Sequence, residues 1–154
     1  YKALDRLIVE SRETKEPFSL VFLDMDNFKH IVDTHGHLHG SQALKEVAGK
    51  LKTGLNEPAF GVAYGGDEFV LVLPNTGKKA AFELVQKIRR LMKNSVYLTK
   101  YDLEVHMSAS FGVATYPDDA EDREEILALA DEAMFRIKNR GKDAVGVTSR
   151  NNWP

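Results

Sequence analysis

Two short acidic segments of this 154-residue chain carry side chains suited to chemistry. Residues 24–26 (Asp-Met-Asp) directly follow an apolar run, and residues 65–68 (Gly-Gly-Asp-Glu) lie between two further apolar runs. An ionised carboxylate at the end of a buried strand is costly unless it is paired or binds a metal. The two glycines allow a sharp turn and a close approach of a ligand to the backbone at Gly66.

The two segments together predict a metal site. If the first strand and the hairpin are neighbours, Asp24, Asp67 and Glu68 converge at one end of a sheet. Oxygen donors of this kind suit Mg²⁺ or Mn²⁺, and a pair of such ions can bridge the attacking and leaving oxygens of a displacement at phosphorus. Separately, each segment has a simpler interpretation: a helix cap or salt bridge for residues 24–26, and an ordinary turn for residues 65–68.

Composition excludes several classes of protein. The formal net charge is -2, whereas a duplex nucleic-acid binder normally has a basic excess. The chain has no cysteine, which excludes disulfides and thiolate metal sites. It has no apolar run of membrane-spanning length and no signal peptide, so we expect a cytoplasmic domain without membrane contact. The first residue, Tyr1, falls inside an apparent helix, so we expect an N-terminally truncated piece of a longer protein.

The elements that must position these residues follow from the spacing of apolar side chains and from turn residues. The pattern predicts helices over 3–13, 27–33, 38–53, 78–93 and 122–139, and strands over 18–25, 59–64, 68–73, 95–100, 103–115 and 143–148. Asp26 and Asn27 are expected to cap the second helix, and a turn over 33–36 to end it. This order predicts a single α+β domain over residues 1–154, with a mixed, mostly antiparallel sheet covered by helices.

Several motifs agree in order and spacing with one family. Residues 64–69 read Tyr-Gly-Gly-Asp-Glu-Phe, and residues 24–41 match the pattern D-x-D-x-F-K-x-x-N-D-x-x-G-H-x-x-G-D with departures at 32 and 41. Residues 133–143 are similar to A-x-x-A-K-x-x-G-R-N, with Lys142 in place of the arginine. The chain thus resembles the GGDEF family of diguanylate cyclases, which implies a palm-like nucleotidyl cyclase fold.

The resemblance implies roles for the acidic residues. Asp24 would bind metal through its carboxylate and Met25 through its backbone carbonyl. Asp67 would bind metal and act as the base on a 3′-hydroxyl, and Glu68 would support a second metal. The implied cofactor is Mg²⁺ or Mn²⁺, two ions per active site.

The resemblance also implies a phosphate site. Backbone amides of Asn27, Phe28 and Lys29 open a helix and would cradle the β- and γ-phosphates. Lys138 and Lys142 would neutralise the triphosphate. Without the family context, a solvated helix C-terminus is the simpler interpretation of these two lysines.

Two departures concern recognition of the base. The family usually has asparagine where this chain has Val32, and aspartate where it has Ser41; both are guanine readers in the family. A serine hydroxyl donates or accepts, so it tolerates either purine. The pattern resembles the hybrid promiscuous subgroup, which makes mainly 3′,3′-cyclic GMP-AMP from GTP and ATP. The alternatives are a strict diguanylate cyclase in which Ser41 merely caps a helix, and, for His37, a structural role instead of a nucleotide contact.

Two further departures concern regulation and activity. The inhibitory Arg-x-x-Asp of many members is replaced by Asn56 to Ala59, so product inhibition there should be weak or absent. The arginine usually found two residues before the signature is Ala63, which would reduce activity or, as an engineered change, trap substrate. A degenerate domain that only binds GTP is therefore a rival interpretation.

The resemblance finally implies partners. One chain carries one metal constellation, whereas a cyclic dinucleotide needs two phosphodiester bonds, so a homodimer is expected. An upstream sensory and dimerising domain is expected to bring the two copies together.

Overall fold

The computed structural model describes residues 2–148. Their helices and strands follow along the chain in the order α1 (Lys2–Thr14), β1 (Phe18–Met25), α2 (Phe28–His35), α3 (His37–Gly54), β2 (Phe60–Gly65), β3 (Glu68–Leu73), α4 (Lys78–Asn94), β4 (Ala109–Tyr116), α5 (Arg123–Lys138) and β5 (Val145–Val147). Across these residues, no helix is both long enough and apolar enough to cross a membrane.

The strands form one mixed sheet with β1 at its centre, in the order β2-β3-β1-β4-β5. All neighbouring strands are antiparallel except β4 and β5, which are parallel. β1 is buried along nearly its whole length because strands flank it on both sides and helices cover both faces. The predicted α+β class and the mostly antiparallel sheet are confirmed.

The alternation of side chains along β1 divides the core into two layers. Val21 and Leu23 face α3 and α4, whereas Leu20 and Phe22 face α1 and α5. Helix residues at i, i+4 and i+7 or i+8 complete each layer, namely Ala43, Val47 and Leu51 of α3, Ala81, Val85 and Ile88 of α4, and Ile126, Ala130 and Met134 of α5.

The segment before β4 differs from the prediction. Residues 95–100 form no strand, and β4 begins at Ala109 instead of at residue 103. Left-handed backbone at Leu98 (φ 64°) and Asp102 (φ 60°) brackets a short 3₁₀ helix over Thr99–Tyr101, and only one β-bridge, Tyr97 with Val105, remains. Tyr97, Leu98 and Val105 are buried, so the apolar pattern of this segment is similar to that of a strand.

The end of α2 also differs from the prediction. The helix continues to His35, and Gly36 ends it with a positive φ of 88° while its N–H donates to the carbonyl of Val32 at 2.7 Å. Glycine adopts this backbone without the steric penalty of a side chain. The same glycine precedes α3, so α2 and α3 meet at one residue.

Helix α5 lies directly on β4 at Gly112. A Cβ at this position would come within 2.1 Å of the Ala130 carbonyl oxygen and 2.3 Å of the Met134 nitrogen. We expect Gly112→Ala to destabilise the domain by about 3 kcal/mol, because backbone on both sides must move. Urea unfolding measures this loss.

The matched control is Gly49→Ala. A Cβ at Gly49 meets nothing within 4 Å, and the residue lies inside α3. Alanine is the better helix former by about 1 kcal/mol, so this variant should unfold at a higher urea concentration. Equal unfolding midpoints for the two variants would contradict the close packing of α5 on β4.

Candidate active site

The end of β1 and the β2–β3 hairpin are neighbours, as predicted. Asp24 lies opposite Glu68 in the β1–β3 register, and the N–H of Met25 donates to the carbonyl of Asp67 at 3.1 Å. Gly66, with φ 52°, makes the turn into β3. The fold therefore brings together the backbone positions of the predicted metal-binding residues.

Asp24 has an unsatisfied oxygen. Its Oδ1 is buried and has no hydrogen-bond partner, while its Oδ2 lies 3.5 Å from the Lys138 ammonium. Burial raises the pKa of Asp24 to about 6; Lys138 opposes this shift, and Asp67 and Glu68 add to it. A buried, unpaired carboxylate oxygen beside two further acids suits a divalent cation.

The acidic side chains do not form a complete cage. Within residues 2–148, no three histidine or acidic side chains are gathered into a ready-made metal site. Mg²⁺ is commonly bound by one or two carboxylates together with water and substrate phosphates. The arrangement around Asp24 fits that mode, in which the substrate completes the coordination.

Asp26 forms a buried salt bridge with Lys138, which is one of the two simpler interpretations of residues 24–26, but its further partners were not predicted. Its Oδ1 accepts hydrogen bonds from Lys138 (2.9 Å) and Ser110 (2.7 Å), and its Oδ2 from Ser108 (2.7 Å) and the backbone N–H of Asp143 (3.0 Å). Burial alone would raise the pKa of Asp26, but the hydrogen bonds from Lys138 and the two serines outweigh it and hold that pKa below its usual value. The buried carboxylate joins β1, β4, α5 and the turn after α5.

The prediction that the side chains of Asp26 and Asn27 cap α2 is wrong. Asn27 is the residue before the helix, but its backbone is left-handed (φ 54°) and its side chain makes no capping hydrogen bond. Its Oδ1 instead accepts from the Lys142 ammonium at 2.7 Å. Asp26 is committed to its partners in the core, so neither side chain is available as a cap.

The predicted phosphate-binding groups lie around the same strand end. Lys138 donates to the Met25 carbonyl at 2.9 Å, and Lys142 reaches Asn27. Phe28 and Lys29 begin α2, where backbone N–H groups have no partner within the helix. Their contact with a triphosphate remains a prediction.

Val32, one of the two predicted base-reading positions, packs against Gly40, which directly precedes the other position, Ser41. A Cβ at Gly40 would lie 2.9 Å from Cγ2 of Val32 and 3.4 Å from Cζ of Phe28, so these side chains cover the residue next to Ser41. Ser41 is exposed, and so is His37, the first residue of α3. Gly36 is the N-cap of α3, so the interpretation of Ser41 as a cap is wrong.

A cavity of about 570 Å³ lies between α3 and β2, beside the hairpin. Ala59 and Ala63, two positions where the family resemblance leads one to expect charged residues, both line it. Ala63 lies opposite Phe69 immediately before a β-bulge that leads into the turn. The small side chains therefore leave open space next to the acidic hairpin.

Fold and site define an α+β domain with an acidic hairpin beside a buried aspartate and two lysines. The family model described as "Diguanylate cyclase, GGDEF domain" matches residues 1–144, and this chain belongs to that family.

Individual relatives agree with this assignment. Diguanylate cyclase A of Treponema denticola is 35% identical over 148 residues, which cover 96% of this chain and 39% of that protein. Response regulator PleD of Caulobacter vibrioides is 31% identical over 143 residues, which cover 92% of this chain and 32% of that protein. The chain thus spans less than two fifths of either relative.

Solved structures share the fold. The GGDEF domain of TpbB from Pseudomonas aeruginosa matches with a TM-score of 0.91 at 28% identity, covering 97% of this chain and 87% of that chain. The GGDEF domain of DgcB from Caulobacter crescentus, solved in complex with c-di-GMP, matches with a TM-score of 0.85 at 26% identity, covering 95% of this chain and 86% of that chain.

Removal of the charge on Asp26 should destabilise the domain. Asp26→Asn keeps the size of the side chain but leaves the largely buried Lys138 ammonium without its closest anion. We expect a loss of about 3 kcal/mol in the free energy of unfolding, since breaking a buried pair leaves an uncompensated charge. Chemical denaturation measures it.

Asp118→Asn is the matched control, because Asp118 is exposed. This variant should stay within about 0.5 kcal/mol of the wild type. Equal stabilities of the Asp26→Asn and Asp118→Asn variants would show that Asp26 does not hold the strand end together.

Proposed function

We propose that this chain is the nucleotide-condensing domain of a dinucleotide cyclase, which joins two purine nucleoside triphosphates and releases pyrophosphate. The observation that carries the proposal is the buried, unpaired oxygen of Asp24 beside Asp67 and Glu68, with two lysines at the same strand end. The names of relatives such as diguanylate cyclase A support the same reaction class.

The metal proposal rests on the donor set. Asp24, the Met25 carbonyl, Asp67 and Glu68 would hold Mg²⁺ or Mn²⁺, with two ions per site. The Met25 carbonyl has a second lone pair beyond the one that accepts from Lys138. When bound, such ions neutralise charge on the reacting phosphates and acidify the attacking hydroxyl.

In the proposed reaction, the carboxylate of Asp67 takes the proton of a substrate 3′-hydroxyl. The oxygen then forms a bond to the α-phosphorus of the second nucleotide, and the bond from that phosphorus to the bridging oxygen of the β-phosphate breaks. Pyrophosphate leaves with the electron pair of the broken bond. Lys138 and Lys142 offset the charge on the triphosphate, and backbone N–H groups at Asn27, Phe28 and Lys29 orient it.

A cyclic dinucleotide contains two phosphodiester bonds, so this condensation must occur twice. The described residues of one chain offer one such cluster, at the end of β1, so we propose that two copies face each other, each holding one triphosphate. Positioning then supplies much of the rate enhancement, as is usual for phosphoryl transfer. We further propose that residues 1–154 are the catalytic domain of a longer, cytoplasmic signalling protein whose upstream part senses a signal and dimerises.

Val32 and Ser41 support a mixed product. Val32 packs over Gly40, next to Ser41, so an apolar side chain and a hydroxyl replace the two polar guanine readers of the family. A site without fixed acceptors for guanine discriminates less against adenine. We therefore propose GTP and ATP as substrates, with cyclic GMP-AMP beside cyclic di-GMP as products, and His37 and Gly66 as further nucleotide contacts.

Asp67→Asn should abolish condensation. The amide neither accepts a proton nor carries charge toward a cation, so we expect product formation to fall by about 10³-fold. Pyrophosphate release from Mg²⁺ and GTP measures it, with Asp118→Asn as the exposed control. Unchanged pyrophosphate release in Asp67→Asn would contradict the proposed role.

Ser41→Asp should change the product. A carboxylate accepts from guanine N1–H and N2–H₂, an arrangement that adenine does not offer, so we expect the product to shift toward cyclic di-GMP. Mass spectrometry of reactions with equal GTP and ATP measures the ratio, and Ser41→Ala, which only deletes the hydroxyl, is the control. The same product ratio in wild type and Ser41→Asp would refute the account of Ser41.

A further inference from the structure

We propose that Asp143 is a positioning residue that is clamped by Arg89 and Lys93 of α4 and thereby fixes Lys138 and Lys142 for triphosphate binding. The inference rests on the proposed function, because it assigns the phosphates to these two lysines. It adds a part of the molecule, the C-terminal half of α4, to which the proposed function assigns no role.

The turn after α5 has an unfavourable backbone. Gly141 has φ 118°, and the next two residues, Lys142 (φ 65°) and Asp143 (φ 48°), are both left-handed. Consecutive non-glycine residues rarely adopt this conformation and keep it only where surrounding contacts determine it. The turn therefore needs contacts from outside itself.

Helix α4 supplies those contacts. Arg89 Nη1 lies 3.0 Å from Asp143 Oδ1, and the Lys93 ammonium pairs with Oδ2 of the same carboxylate. The side chains of Arg89 and Asp143 are only 19% and 20% exposed, so water screens this pair less than it screens a surface pair. Each oxygen of Asp143 thus has its own cation, and α4 is anchored in the core through Val85, Ile88 and Met92.

The contacts of Asp143 with Arg89 and Lys93, which we call the clamp, are connected to both lysines. The backbone N–H of Asp143 donates to Asp26 Oδ2 at 3.0 Å, and the other oxygen of Asp26 accepts from Lys138 at 2.9 Å. Lys142, the residue before Asp143, extends to Asn27 Oδ1 at 2.7 Å. A fixed Asp143 therefore fixes the backbone from which the Lys142 side chain extends. It also fixes Asp26, the anion that pairs with Lys138.

The clamp would hold the two lysines in place before a triphosphate binds, that is, it would preorganise the phosphate site. A triphosphate that meets fixed ammonium groups does not have to order the turn and two long side chains, which is a cost that flexible sites incur on binding. Without the clamp, the left-handed turn is free to relax and the lysines leave the strand end. Nucleotide affinity should then fall although no group that touches phosphate has changed.

The test compares nucleotide affinity across three variants of the whole chain. Asp143→Asn keeps the size and the tolerance of left-handed backbone but loses the charge. Arg89→Ala removes one cation, and Arg90→Ala is the control, because its exposed side chain lies on the next position of α4. Calorimetry with Mg²⁺ and a non-cleavable α,β-methylene analogue of GTP gives the affinity, and thermal unfolding gives the stability.

We expect the first two variants to bind the analogue about fivefold more weakly, with Arg90→Ala like the wild type. In a Lys142→Ala background, Asp143→Asn should cause a smaller loss than in the wild type, because one of the lysines on which it acts is gone. Lower thermal stability with unchanged affinity would overturn the proposal, as would fully additive losses in the double variant.

Failure of this inference is distinguishable from failure of the proposed function. If the wild type does not bind the analogue, the assignment of the nucleotide site itself is wrong. If the wild type binds and Asp143→Asn binds equally well, the nucleotide site stands and the clamp is refuted.

Discussion

One buried carboxylate, Asp26, determines how the end of β1 is built. Only 2% of its side chain is exposed, so its charge is tolerated only when protein groups supply the hydrogen bonds. These come from Ser108 and Ser110, 82 and 84 residues away in the chain, and from Lys138 and the backbone of Asp143, 112 and 117 residues away. One side chain therefore holds the strand end, β4, α5 and the following turn together, and it also holds Lys138 beside the candidate site.

The contrast between Asp24 and Asp26 separates a structural carboxylate from one that is left with an unsatisfied oxygen. The two acids lie two residues apart and share Lys138, which is 2.9 Å from an oxygen of Asp26 and 3.5 Å from one of Asp24. Hydrogen bonds hold the pKa of Asp26 low, whereas burial and the neighbouring acids raise that of Asp24 to about 6. Neighbouring carboxyl groups with diverging pKa values are typical of sites that bind metal or transfer protons. Asp26 is the structural residue of the two, and Asp24 is the one left with an unsatisfied oxygen.

Local patterns predicted the parts of the fold that local physics determines. The apolar run of β1 and the two glycines of the hairpin identified a buried strand and a tight turn. The sequence predicted that Asp24 and Glu68 converge if these two elements are neighbours, and the register places them opposite each other. The partners of Asp26 and Asp143 could not be predicted, because each lies 50 or more residues away in the chain. The strand expected over 95–100 was wrong for the same reason: the N–H of Leu98 donates to Glu46 of α3, a tertiary contact that no periodicity reveals.

The central claim is that the acidic end of β1 condenses two purine nucleoside triphosphates. The most direct measurement is mass spectrometry of the products that a dimerised form of the whole chain makes from equal GTP and ATP with Mg²⁺. The account predicts cyclic dinucleotides, including the mixed GMP-AMP ring, together with pyrophosphate. Bound nucleotide without any dinucleotide product, persisting when Ala63 is replaced by arginine, would contradict it and leave a domain that only binds nucleotide.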